Sequence, residues 1–141
     1  MSLESLDYLY TPSRDVAADA TYLVDVLGGR LVFAIEGMGT RVALVELPSG
    51  PPAVVLADHL DGDRPVLVYR VADLRAATAD LRTRGWAAEH SLEIPQGPVT
   101  TFRSPGGLRL AMYELARPFV LEGFAGRRDF AVGASIENDT R

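Results

Sequence analysis

Residues 104–114 read Ser-Pro-Gly-Gly-Leu-Arg-Leu-Ala-Met-Tyr-Glu, and this stretch decides how the second half of the chain is interpreted. Its first four residues are typical of a turn, and the alternating residues from Leu108 to Glu114 predict a strand. Side chains along a strand point to opposite faces, so Ala111 shares one face with Arg109 and Tyr113. We expect the other face, which carries leucine and methionine, to pack under a helix.

A strand, a helix and two more strands are predicted before this stretch. In chain order they are Pro65 to Val71, Ala72-Asp73 to Gly85, Trp86 to Glu93 and Val99 to Ser104. In the first of these strands, Val68 and Arg70 share the face of Val66. Asp73 is typical of a helix N-cap and Gly85 of a helix stop. The second half is therefore predicted to have the order β-α-β-β-β.

The first half repeats this order at an offset of roughly 60 residues. Its first strand alternates, with Leu6, Tyr8 and Tyr10 on one face. Ser13 predicts the N-cap of the helix, and Asp15 then lies in the first turn. In chain order the elements are Glu4 to Tyr10, Ser13 to Gly28-Gly29, Arg30 to Glu36, Arg41 to Leu47 and Ala53 to Asp58.

The composition indicates a globular protein of 141 residues, with 48% hydrophobic and 23% charged residues. A net charge of −5 disfavours nucleic acid as a partner, because such binding depends on neutralising phosphates. The absence of cysteine excludes disulfides and thiolate metal sites. No apolar run is long enough to span a membrane and no secretory signal is visible, so we expect a cytoplasmic protein without a membrane partner.

A single domain is expected over residues 1–114, with βαβββ units at about 4–58 and 65–114. The tail from 115 to 141 is expected to dock partly, because the run from Arg117 to Phe124 is rich in apolar residues. Its last residues, Ser135 to Arg141, are expected to be solvated and mobile.

The order of elements, together with four short runs, resembles the vicinal oxygen chelate superfamily. That group includes glyoxalases, extradiol dioxygenases, methylmalonyl-CoA epimerases and bleomycin resistance proteins. The runs are Leu6-Asp7-Tyr8, Arg41 to Leu47, Tyr69 to Ala76 and residues 104–114. The resemblance covers Leu3 to Glu114. It implies an α+β fold in which the two units form an open half-barrel sheet that bears a cleft, with the helices outside.

Metal-dependent members of the superfamily carry His, Glu or Gln ligands on the first and fourth strands of each unit. By resemblance, these four positions fall on Tyr8, Val55, Val66 and Ala111. One phenol beside three hydrocarbon side chains does not form a site for a dication. The sequence therefore predicts a cleft without a metal ion or any other cofactor.

The same resemblance and the alternation of the strands predict a cleft with aromatic and aliphatic walls, in which two arginines are the polar groups. The predicted ligand-binding residues are Tyr8, Tyr10, Val55, Val66, Arg70, Trp86, Phe102, Arg109, Ala111 and Tyr113. Each has a structural alternative. The aromatic rings can fill the core, and the two arginines can form ion pairs with Glu36, Glu46 or Asp58. His59 and His90 each follow an acidic residue and are expected to be surface histidines.

The leading hypothesis is a homodimeric, non-enzymatic protein that sequesters a small organic molecule, similar to the bleomycin-resistance branch. The alternative is an enzyme of the same superfamily that acts as a lyase, isomerase or dioxygenase. A metal-dependent enzyme would draw its ligands from His59, His90, Glu36, Glu93 and Glu114. A metal-free enzyme would use an acid–base pair that includes Tyr8, Tyr10, Arg109 or a nearby carboxylate. A third hypothesis is a structural role, with the cleft filled by side chains.

Overall fold

The computed structural model describes residues 3–86 and 88–133, which form eight strands and three helices. In chain order these are β1 (Ser5–Pro12), α1 (Val16–Asp25), β2 (Arg30–Gly37), β3 (Thr40–Glu46), β4 (Ala53–Ala57), β5 (Val66–Val71), α2 (Leu74–Thr83), β6 (His90–Ile94), β7 (Gly97–Arg103), β8 (Arg109–Glu114) and α3 (Val120–Phe124). No helix in the described part of the chain is long and apolar enough to cross a bilayer. The segment from Ser135 to Arg141, predicted to be solvated, lies outside the described residues.

The described chain divides into two compact units, and each follows the predicted order βαβββ. The N-terminal unit contains residues 8–65 and 124–133, and the C-terminal unit contains residues 3–7 and 66–123. Strand β1 therefore contributes residues to both units. The predicted α+β fold class is confirmed.

The N-terminal unit contains a four-stranded mixed sheet in the order β2-β3-β4-β1. β2, β3 and β4 are antiparallel neighbours, and β1 joins β4 in parallel. Helix α1 covers one face, where its residues Val16 and Ala20 pack against Ala43, Val45 and Leu56. Burial of these apolar side chains holds the helix to this face of the sheet.

Helix α1 has a different N-cap from the one predicted, because Asp15 takes that role instead of Ser13. The Asp15 carboxylate accepts a hydrogen bond from the backbone N–H of Ala18 at 3.0 Å. β1 continues to Pro12, and the buried Ser13 hydroxyl donates to the Asp19 carboxylate. An N-cap side chain must reach the N–H groups of the first turn, and Asp15 is the residue that stands directly before that turn.

The segment after α3 packs on the N-terminal unit, and we call residues 126–133 the docked tail. A parallel bridge joins Arg128 to Ala34 of β2, and the Ala34 N–H donates to the Arg127 carbonyl at 2.8 Å. Phe130 and Val132 are buried in the core beneath α1. The docked tail thus covers the outer edge of β2, which would otherwise present unpaired backbone groups. The predicted end of the domain at residue 114 stays a prediction.

The C-terminal unit has the strand order β5-β8-β7-β6, in which β5 is parallel to β8 and the other pairs are antiparallel. Helix α2 begins after its predicted N-cap, Asp73, whose carboxylate accepts a hydrogen bond from the first turn. It packs through Leu74 and Ala77 onto Val71 and Met112. Strand β6 is the outer strand of this sheet and is mostly exposed.

Strand β6 begins at His90, later than the predicted start at Trp86, because Trp86 belongs to the helix stop. Gly85 has a φ of +82°, a left-handed conformation that glycine adopts without steric cost. The Trp86 N–H then donates to the Leu81 carbonyl at 3.1 Å. The indole ring packs edge-on against Phe102 with 4.9 Å between the ring centroids. Trp86 therefore belongs to the C-terminal end of α2 and not to the start of β6.

Candidate functional site

In the N-terminal unit, the face of the sheet opposite α1 carries an apolar row. Cross-strand pairing places Phe33 beside Leu44, Leu44 beside Val55, and Val55 beside Tyr10. Paired residues share a face, so the row crosses all four strands from β2 to β1. Tyr8 lies on the same face, two residues before Tyr10. The three binding residues predicted in this unit, Tyr8, Tyr10 and Val55, are thus brought onto one face.

A tyrosine–histidine pair stands at the β1 end of this row. The Tyr10 hydroxyl oxygen and His59 Nε2 are 3.0 Å apart, and the two rings meet edge to face. Burial raises the pKa of Tyr10, and its protonated phenol can donate a hydrogen bond to His59 Nε2. His59 is exposed and Tyr10 is half-buried, which leaves the pair open to a ligand from solvent.

In the C-terminal unit, the face opposite α2 carries a second row that is partly polar. Pairing places Val68 beside Ala111, Ala111 beside Thr101, and Thr101 beside His90. Val66 lies on this face as well, two residues before Val68. The Thr101 hydroxyl is buried without a hydrogen-bond partner among the described residues. Most buried polar groups do have a partner, so this hydroxyl marks a position where water or a polar ligand group would be stabilised.

Tyr113 and Arg70 are held by carboxylates from the start of the chain. The Tyr113 hydroxyl, on a fully buried side chain, donates to Asp7 Oδ2. Arg70 Nε lies 3.6 Å from the Asp7 carboxylate and 3.7 Å from that of Glu4. Arg70 therefore forms ion pairs, the structural alternative expected from the sequence, but with carboxylates other than the three that were predicted. Tyr113 and Arg70 form one charged cluster around Asp7.

Trp86 and Phe102 lie on the opposite face of the C-terminal sheet from Ala111. Phe102 pairs with Leu110, which alternates with Ala111 along β8, and both aromatic rings pack against the core beneath α2. They are therefore not part of the candidate site. Arg109 does share the face of Ala111, where it is half-buried and in register with Arg103.

The four positions that hold a metal in the metal-dependent relatives do not fit a metal ion in this chain. They are Tyr8 and Val55 in the N-terminal unit and Val66 and Ala111 in the C-terminal unit, and only the first has a donor atom. Within residues 3–86 and 88–133, no group of three His, Asp or Glu side chains is placed to bind one.

Sequence reasoning missed the pairing of His59 with Tyr10 and the contacts of Asp7. One signal for the first was present, because continuing the alternation of β4 past Ala57 places residue 59 on the face of Val55, which pairs with Tyr10. No comparable signal existed for Asp7. Its partner, Tyr113, is 106 positions away, and only the folded chain brings the two together.

The chain is similar in fold to several solved structures, although no protein-family model and no curated protein matches it. Methylmalonyl-CoA epimerase from Mycobacterium tuberculosis aligns with a TM-score of 0.69 and 23% identity, over 83% of this chain and 91% of the epimerase. A singly substituted form of the Streptomyces coelicolor epimerase, in complex with 2-nitronate-propionyl-CoA, aligns with a TM-score of 0.63 and 18% identity, over 82% and 97% of the two chains. Hypothetical protein BH1468 from Bacillus halodurans aligns with a TM-score of 0.67 and 13% identity, over 78% and 93%.

These similarities confirm that the chain has the fold of the vicinal oxygen chelate superfamily, as the resemblance implied. They also correct the leading functional hypothesis. A metal-free protein that only sequesters its ligand is contradicted, because two of the neighbours named above are methylmalonyl-CoA epimerases, which are enzymes. The comparison favours the alternative, an enzyme of the same superfamily. One of these epimerases was solved with a small organic ligand, a CoA ester, in keeping with the small-molecule partner predicted here.

Proposed function

We propose, from the premise that the chain has the vicinal oxygen chelate fold, that it is an isomerase that moves a proton at a carbon atom next to a carbonyl group. The observation that carries this proposal is the 3.0 Å separation between the Tyr10 hydroxyl and His59 Nε2 beside an apolar row. A general base must lie within hydrogen-bonding distance of the proton it accepts, directly or through one relay atom. The tyrosine–histidine pair meets this requirement as a relay.

The proposed step breaks the C–H bond next to the substrate carbonyl. Its proton passes to the Tyr10 oxygen as the phenolic proton passes to His59 Nε2, and the electron pair of the C–H bond moves into an enolate. The raised pKa of Tyr10 keeps the phenol protonated before the step, so the relay starts in the required state. The imidazolium that forms on His59 stabilises the negative charge of the enolate. A proton from solvent then adds to the other face of the planar enolate and inverts the carbon, and the exposed His59 releases its extra proton to solvent.

We propose an acyl thioester as the substrate class. Two observations support this choice. One fold neighbour was solved with methylmalonyl-CoA and another with 2-nitronate-propionyl-CoA. Val55, which is half-buried and pairs with Tyr10, offers apolar surface against which a short acyl chain can pack.

The remaining predicted binding residues of the C-terminal unit are retained as proposed ligand contacts. Val66 and Ala111 would contribute apolar surface, and Arg109 would contribute a positive charge to a ligand carboxylate. Arg70 and Tyr113 would act indirectly, because the Asp7 cluster already engages both side chains. In this proposal Thr101, with its unpartnered hydroxyl, is a contact that sequence reasoning did not include.

The proposal is tested by hydrogen exchange in D₂O. Loss of the α-proton signal of methylmalonyl-CoA or propionyl-CoA would be followed by NMR with the intact chain. Replacing either member of an acid–base pair lowers the rate by roughly 10²–10⁴-fold, so Tyr10→Phe and His59→Gln should each do so. Tyr22→Phe, at a tyrosine that is 57% exposed, is the matched control. Exchange that is absent in the unchanged chain, or equal in Tyr10→Phe, refutes the assignment.

We also propose that the protein works in the cytoplasm as a homodimer, without nucleic acid or membrane partners. The net charge of −5 supports the absence of a nucleic-acid partner. The exposed outer strand β6 supports dimerisation, because an open strand edge favours pairing with a second chain. Sedimentation equilibrium that gives only the 15.2 kDa monomer at micromolar concentration would reject the dimer.

A further inference from the structure

A groove with a volume of about 1000 Å³ lies beside helix α2 in the C-terminal unit. One wall is the helix, and the other is formed by the outer strands β6 and β7. Thr100, one of its lining residues, pairs with the core residue Met112, so the groove opens on the helix-bearing face of the sheet. This is the opposite face from that of Ala111. The volume matches that of small-molecule sites, which hold roughly 300–1,000 Å³.

In the N-terminal unit, the docked tail fills the space beside α1 that corresponds to this groove. There Phe130 and Val132 of the docked tail enter the core beside α1, and the Gly133 N–H donates to the Thr21 hydroxyl of that helix at 3.0 Å. In the C-terminal unit the corresponding space between the helix and the two outer strands is the groove. It is lined by polar as well as apolar residues, which suits a ligand better than a core.

Two arginines without partners line the helix wall of this groove. Arg75 and Arg82 are seven residues apart on α2 and therefore lie on one side of it, along with Thr78. Neither guanidinium forms an ion pair or hydrogen bond with another described residue. Within residues 3–86 and 88–133, Arg14 is the one other arginine whose guanidinium has no such partner. The remaining arginines bind carboxylates or carbonyls or have another interaction.

The acidic residues of the groove are already engaged. The Asp73 carboxylate accepts a hydrogen bond from the first turn of α2, and Glu114 accepts one from the Leu74 N–H at 2.9 Å. Glu93 is paired with Arg117 at 2.6 Å. Arg117 neutralises Glu93, and the other two carboxylates bind backbone N–H groups at the start of α2, so the guanidinium groups of Arg75 and Arg82 are the charged groups of this lining without a partner among the described residues.

We propose that this groove binds a small molecule through a diphosphate group. Residues seven apart on a helix are separated by about 10 Å along its axis, so the two guanidinium groups can grip an extended dianion between them. Arginine suits this role, because its planar fork of N–H groups matches phosphate oxygens. The inference goes beyond the proposed isomerase, since it uses neither Tyr10 nor His59 and concerns a face of the sheet that the proposed reaction does not use.

Isothermal titration calorimetry of the intact chain with ADP, coenzyme A and inorganic diphosphate tests the inference. At least one of these should bind, and Arg75→Ala/Arg82→Ala should weaken that binding by about tenfold or more. Arg14→Ala, at an arginine outside the groove that also has no partner, should leave it unchanged. Binding should also weaken as the ionic strength rises.

Four results are decisive. Tighter binding of coenzyme A than of ADP supports the site with a thioester carrier as its ligand, and equal binding supports it with a nucleoside diphosphate. No binding of any of the three compounds, or binding unchanged in the double variant, overturns the inference. Repeating the titration with Tyr10→Phe distinguishes failure of the diphosphate site from failure of the proposed isomerase. That variant should lose proton exchange and keep diphosphate binding.

Discussion

In the N-terminal unit, the outer strand β2 carries the docked tail along its edge, and two tail residues complete the core under α1. In the C-terminal unit, the outer strand β6 pairs only with β7 among the described strands, and the space beside α2 is an open groove. The two units nevertheless share one order of elements. The comparison teaches that the βαβββ order fixes the arrangement of strands, whereas residues outside it decide whether a unit is closed or open to a ligand.

Among the variants that test this comparison, Gly97→Ala in the C-terminal unit is expected to change the free energy of unfolding most. A Cβ atom at position 97 would overlap the Glu114 carbonyl oxygen, which belongs to backbone and cannot move aside cheaply. We expect a loss of about 4 kcal/mol or more in the free energy of unfolding, measured by urea denaturation. Gly106→Ala is the control, because open space surrounds that position. A variant at position 97 as stable as the unchanged chain would contradict the packing of the β6–β7 turn.

Phe130→Ala tests the closure of the N-terminal unit. The ring is 8% exposed within the core and also lies 4.6 Å beneath the Arg41 guanidinium. Removing it should cost about 3–5 kcal/mol in the free energy of unfolding, since a cavity remains beneath α1. Phe119→Ala, at a ring that is 75% exposed, should change stability by less than about 0.5 kcal/mol in the same denaturation series. Equal losses in the two variants would mean that the docked tail does not complete this core.

Tyr113→Phe removes one hydrogen bond from the C-terminal unit and leaves its shape intact. The phenol donates to the Asp7 carboxylate, and hydrogen bonds to charged groups contribute about 1.5–3 kcal/mol. We expect a loss of that size in thermal or urea unfolding. The exposed Tyr22→Phe serves as its control. If Tyr113→Phe proves neutral, the Asp7 cluster does not stabilise the unit.

The smallest effect is expected from Asp129→Asn, and it appears as a pH dependence. The backbone N–H of Glu36 and the Arg127 guanidinium both bind the Asp129 carboxylate and lower its pKa. A lowered pKa in the folded state gives stability that is complete above the unfolded pKa, and this stability is lost as the pH falls through the folded value. The melting temperature of the unchanged chain should therefore fall more steeply below about pH 4 than that of the variant. The exposed Asp63→Asn should follow the unchanged chain, and parallel curves for all three proteins would refute the contact.

Sequence reasoning predicted the order of elements because alternation and turn residues are local signals. Asp73 as an N-cap and Gly85 as a helix stop are examples, since each acts within one helical turn. It did not predict the face of Phe102, because that depends on the register in which β7 pairs with β8 across the turn after Arg103, and alternation alone does not give that register.

The candidate site was predicted only in part, because alternation is a local signal and the remaining contacts join residues far apart in sequence. Tyr10 and Val55 were placed on one face by alternation, whereas the contact of Tyr10 with His59 joins residues 49 positions apart. The groove beside α2 could not be predicted at all. The docked tail packs on the N-terminal unit, and nothing in the residues after Glu114 indicates which unit receives it.

The late position of the docked tail in the sequence also affects how the chain folds while it is being synthesised. Residues 126–133 leave the ribosome after all eight strands, so during synthesis β2 has a neighbour on one side only and the cavity beneath α1 lacks Phe130. Until those last residues arrive, the nascent chain offers an open strand edge to any other chain nearby. Closure of the β2 edge therefore depends on residues that are synthesised after every strand of both units.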